Sequence, residues 1–91
     1  MIYLALVHKE PDSDFGVSFP DFPGCVTAGR TLDEAKAMAA EALRGHVAAM
    51  RAAGLPILDP STLSAIMQHE DYPDSLALLP VEAPPITAAV A

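Results

Sequence analysis

A single cysteine, Cys25, is all the thiol this sequence holds. One thiol excludes an internal disulfide and a cysteine-based metal cage, and it suits a reducing cytoplasm. Basic residues are nearly as scarce. Five Lys and Arg stand against 12 Asp and Glu, for a formal net charge of −7. The five are Lys9, Arg30, Lys36, Arg44 and Arg51; after Gly54 there is none, while Asp59, Glu70, Asp71, Asp74 and Glu82 follow. A nucleic-acid surface needs clustered Lys or Arg to displace counterions. The second half of the chain cannot provide one, so direct nucleic-acid binding is not expected. Long apolar runs are missing as well. Residues are 52% hydrophobic, much of it alanine, and no run approaches the roughly 20 residues that span a bilayer. The start, MIYLALVHKEPD, has neither a basic n-region nor a small-residue cleavage site, so it does not read as a signal peptide.

What remains is one small, acidic domain. At 91 residues the chain closes a single core with a modest stability margin, which association with a copy of itself or a partner would offset. An acidic surface suits a basic protein partner, because complementary fields speed encounter and disfavour wrong partners.

Hydrophobic periodicity predicts the elements. Ile2 to His8 reads as a strand apolar on both faces, hence interior to a sheet. Turn chemistry at Glu10-Pro11-Asp12-Ser13-Asp14 leads into a second strand, Phe15 to Phe19, with Phe15, Val17 and Phe19 alternating. Pro23-Gly24 suits the central positions of a type II turn, and Cys25 to Gly29 returns antiparallel. Thr31-Leu32-Asp33-Glu34 is a capping box in which the Thr hydroxyl accepts from the Glu34 N–H and the Glu34 carboxylate reaches back to the cap. Leu32, Ala35, Ala39, Ala42, Leu43, Val47 and Met50 then recur at helical spacing, predicting a helix from about 32 to 53 that Gly54 and Pro56 end. Gly45, interior to that helix, hints at a second backbone packed closely there. Asp59-Pro60-Ser61 reads as a second helix start, with Leu63, Ile66 and Met67 as its buried face. Ser75 to Val81 reads as a last strand, which Pro80 places at a sheet edge. The expected class is α+β: an antiparallel sheet in β-β-β-α-β order with one long helix on one face. Residues 1–82 form the domain, and 83–91 read as a flexible tail or linker.

No catalytic constellation emerges. Glu10, Asp12 and Asp14 are the densest acid cluster. Counted as a calcium loop from Asp12, however, the fifth and twelfth positions are Gly16 and Pro23 where an acid and a Glu are needed. A solvated hairpin turn facing a basic partner is the better reading. His8, His46 and His69 lack metal-ligand spacing, and His46 falls near the apolar stripe of the long helix. Cys25 reads as a small buried thiol in a strand, with no base placed beside it. No serine sits in a nucleophile elbow, and no glycine-rich loop precedes a helix. No catalytic residue, cofactor or metal is expected.

The run Phe19-Pro20-Asp21-Phe22-Pro23-Gly24-Cys25-Val26-Thr27-Ala28-Gly29, followed by Thr31-Leu32-Asp33-Glu34-Ala35, resembles the signature of HicB antitoxins and HicB-like proteins. The similarity continues through Leu55-Pro56 and Pro60-Ser61 to Leu76-Ala77-Leu78-Leu79, covering residues 1 to 82. The resemblance implies a partial ribonuclease H-like fold and a cytoplasmic bacterial antitoxin. Such a protein binds and neutralises a HicA toxin, a small basic RNA-cleaving protein, by occluding its active or RNA-binding surface. Glu10, Asp12, Asp14 and Asp21, with Phe22 beside them, are the expected partner-binding residues. An orphan HicB-like oligomer with no toxin is the alternative. Antitoxins of this family usually carry a C-terminal DNA-binding module, and this chain stops about where the module would begin. Active ribonuclease H-like enzymes hold carboxylates around two metal ions; here the first strand, Ile2 to Lys9, contains no acid.

Overall fold

A computed structural model describes residues 1–83. Four strands, β1 (Ile2–Lys9), β2 (Phe15–Ser18), β3 (Val26–Gly29) and β4 (Ala77–Glu82), form one antiparallel sheet in the order β3-β2-β1-β4. A 21-residue helix, α1 (Leu32–Ala52), covers one face. The protein is therefore α+β in the expected element order, with an additional short helix, α2 (Leu63–Met67), and a 3-10 turn at Tyr72–Asp74 between α1 and β4.

Register divides the residues between two faces. Tyr3, Ala5 and Val7 of β1 lie opposite Val81, Leu79 and Ala77 of β4, and Val7 lies opposite Val17 of β2. Tyr3, Ala5, Val17 and Val81 meet Ala35, Ala39, Leu43 and Val47 of α1 in the main core. The small alanines let α1 approach the sheet, while Leu43 and Val47 fill the space further along. Leu32, counted in the apolar stripe, is 46% exposed, because the stripe drifts off the sheet at the first turn.

The sequence rules for turns and caps are met with one adjustment. Gly24 has φ +89° and Cys25 N–H donates to Phe22 O at 2.9 Å, a turn that needs glycine. Thr31 Oγ1 accepts from Glu34 N–H at 3.0 Å. The Glu34 carboxylate reaches one residue past the cap, to the N–H of Arg30 at 3.0 Å. Gly54 (φ +74°) donates to Arg51 O and Leu55 N–H donates to Met50 O, a Schellman end to α1.

Four expectations change. Asp59-Pro60-Ser61 does not start a helix: Asp21 accepts from both the N–H and the hydroxyl of Ser61 and holds that stretch extended, so Thr62 becomes the cap of α2. On so short a helix only Ile66 is buried, and Leu63 and Met67 are about half exposed. The last strand begins at Ala77 rather than Ser75, because Ser75 caps the 3-10 turn by donating its N–H to Tyr72 O. Gly45 has open space where a Cβ would sit, and among the described residues no second backbone packs there. Close approach occurs instead at Gly29, where a Cβ would lie 2.4 Å from Ala35 N. The expected tail lies outside the described residues except for Ala83, which is buried and donates to Met1 O.

Candidate functional site

The opposite face of the sheet carries Leu4, Leu6 and His8 of β1, Ser18 of β2, Val26 of β3, and Leu78 and Pro80 of β4. Leu6 is fully buried although it points away from α1, so this face is covered in part. The stretch His69–Asp71, just after α2, lies over the end of the face where Ser18 and Val26 emerge. Between them opens a shallow cleft of about 250 Å³, which also reaches Cys25 and the Pro23-Gly24 turn. Its charged lining is acidic: Glu70 and Asp71 contribute carboxylates, and no Lys or Arg lines it. His69 Nδ1 accepts from the Asp71 N–H at 3.1 Å, tying the turn to the ring.

The expected contact residues separate into three environments. Glu10, Asp12 and Asp14 occupy the exposed turn between β1 and β2, where Ser13 Oγ accepts from the Glu10 N–H at 3.0 Å. Asp21 is half-buried and committed to Ser61, with Oδ2 accepting from its N–H at 2.9 Å. Phe22 is only 3% exposed. Its ring meets Tyr3 edge-on at 4.7 Å and His46 at 5.7 Å. Phe22 is thus a core residue and presents almost no surface to a partner, and Asp21 fixes the chain after α1. Only the Glu10–Asp14 turn stands free.

The buried polar groups have internal explanations. Tyr3 donates its hydroxyl to Leu58 O at 2.5 Å. Burial raises its pKa, and the charges of Asp21 and Asp59 add to the effect. Burial likewise raises the pKa of the Cys25 thiol, the opposite of what an activated nucleophile requires. His8 Nε2 lies 3.0 Å from Ser18 Oγ, a pair that no third group orients among the described residues. Among the described residues, no three His, Cys, Asp or Glu side chains come close enough to hold a metal ion. Among the described residues, no helix is long and apolar enough to cross a membrane.

Glu70 and Asp71 were not singled out from sequence as lining a cleft. The available signal was a polar His69-Glu70-Asp71 triplet ahead of Tyr72-Pro73, which marks a turn but not the face that the turn covers.

Known proteins place this arrangement. The HicB antitoxin of Burkholderia pseudomallei superimposes with a TM-score of 0.79 at 30% identity, over 91% of this chain and 63% of that one. Its N-terminal domain, solved by itself, is covered completely at a TM-score of 0.76 and 28% identity. A chain of the HicA3 and HicB3 toxin–antitoxin complex matches with a TM-score of 0.75 and 29% identity, over 93% of this chain and 100% of that one. An uncharacterized 14.9 kDa protein of Haemophilus phage HP1 is 44% identical over 50 residues, 55% of this chain and 37% of the phage protein. The chain thus spans less than two thirds of both the phage protein and the Burkholderia antitoxin. The sequence profile of the HicB-like antitoxins of bacterial toxin–antitoxin systems matches residues 3–89, and the chain belongs to that family.

Proposed function

We propose that this chain neutralises a small, basic, HicA-like RNA-cleaving toxin by binding it and covering its active or RNA-binding surface. The supporting observation is its likeness, over 93% of its length, to a chain from a toxin–antitoxin complex. A net charge of −7 favours capture of a basic partner. The function asks no catalysis and no cofactor of this chain, and it is exercised in the bacterial cytoplasm. Binding to nucleic acid is no part of it. The test is co-expression with HicA-type toxins, beginning with any small basic protein encoded beside this gene. Copurification at a fixed ratio and restored growth are the expected results; failure of any HicA-type protein to copurify or lose toxicity overturns the reading.

Self-association accompanies this role. Ile2 and Leu76 are 53% and 61% exposed, and Ile2 projects from the face opposite α1. A second copy would cover such residues. The wild type is expected to sediment as a dimer or larger, and Ile2→Ser with Leu76→Ser to shift it toward monomer. A wild type that stays monomeric at high concentration refutes this part.

A further inference from the structure

We infer that the free edge of β3, together with the acidic cleft beside it, is the docking site for a basic, strand-forming segment of the protein partner. This rests on the toxin-binding reading above and names the surface that serves it.

The sheet has two edges, and they differ. On β4, Ala83 N–H donates to Met1 O, so the alternation of an antiparallel ladder turns the backbone of Leu78, Pro80 and Glu82 outward. Pro80 has no N–H to offer, and Glu82 brings charge, so this edge is blunted against pairing. On β3, Phe19 N–H donates to Cys25 O at 3.2 Å. The same alternation turns both N–H and C=O of Val26 and Ala28 away from β2. Among the described residues these groups have no backbone or side-chain partner. No proline or charge interrupts Cys25 to Gly29. Among the described residues, one edge is blunted against an added strand and the other is open to it.

Charge and shape define what the open edge accepts. Val26 is 66% exposed and stands on the cleft rim with Glu70 and Asp71. A strand laid along β3 satisfies the four backbone groups. Every second side chain falls on the Val26 side, where the carboxylates favour Lys or Arg. The Glu10–Asp14 turn lies at the other end of β2 and offers no unpaired ladder.

The test uses the full chain, labelled with 15N, and the probe peptides Ac-VKVKVK-NH2 and Ac-VEVEVE-NH2. The basic peptide is expected to shift the Val26 and Ala28 amides and slow their hydrogen exchange, while the acidic one has no effect. Val26→Lys changes an exposed side chain without touching the core and abolishes the response. Glu70→Lys with Asp71→Lys weakens it about tenfold; Glu10→Lys with Asp12→Lys leaves it unchanged. The inference is overturned by an absent response, by equal binding of both peptides, by shifts confined to the Glu10–Asp14 turn, or by edge protection that arises from self-pairing without peptide. Toxin capture that persists in Val26→Lys overturns this surface and leaves the antitoxin reading standing. Loss of capture by the wild type strikes that reading instead.

Discussion

At Asp21 and Phe22, two adjacent residues face in different directions and serve different ends. Phe22 lies between Tyr3 and His46 inside the core, whereas the Asp21 carboxylate reaches out to Ser61, 40 residues along the chain. Phe22→Ala removes a buried ring and is expected to cost about 3–5 kcal/mol, much of the stability of a domain this size. Asp21→Ala removes two hydrogen bonds to a charged acceptor and costs about 1–3 kcal/mol. Urea unfolding of the two variants gives the ranking, and a surface role for Phe22 requires a near-neutral effect. Residue type alone could not separate core from contact here. An aromatic in a Pro-x-x-Pro turn suits either role, and the decision lies with Tyr3 and His46, which come from β1 and α1.

Among the elements, α1 was the most legible. Its capping box, its apolar stripe and its Gly54 stop are all local, and local rules place them within a residue. α2 was not: its start depends on a carboxylate from a turn far away in sequence, and five residues carry too little periodicity to show which side chains are buried. The junction between β3 and α1 also escapes local rules. Gly29 has no unusual φ, yet a Cβ would collide with the backbone of Glu34 and Ala35. Gly29→Ala must therefore push β3 away from α1, with an expected loss of about 1–3 kcal/mol. Gly45→Ala, in open space within α1, is expected to stabilise by up to about 1 kcal/mol. Thermal denaturation of the pair checks both signs, and a neutral Gly29→Ala contradicts the close approach.

Over the whole molecule, charge is spread rather than paired. Among the described residues, none of the five Lys and Arg side chains bridges a carboxylate within 4.0 Å, so little of the surplus acid is neutralised internally. Association with a basic partner is accordingly expected to slow about tenfold or more between low and high ionic strength, with a smaller change in dissociation. Stopped-flow measurement of both rates checks this, and a salt-independent association rate contradicts it. By itself the sequence determined the class of the fold, the long helix, the hairpins and the acidic character. Alternation, caps and net charge are properties of neighbours along the chain. Only the tertiary structure decided which acids stand beside an open strand and which edge of the sheet is open. Glu70 and Asp71 line the same cleft as Val26, and Pro80 faces outward, because distant segments close over one sheet in one register. That proximity has no local signature.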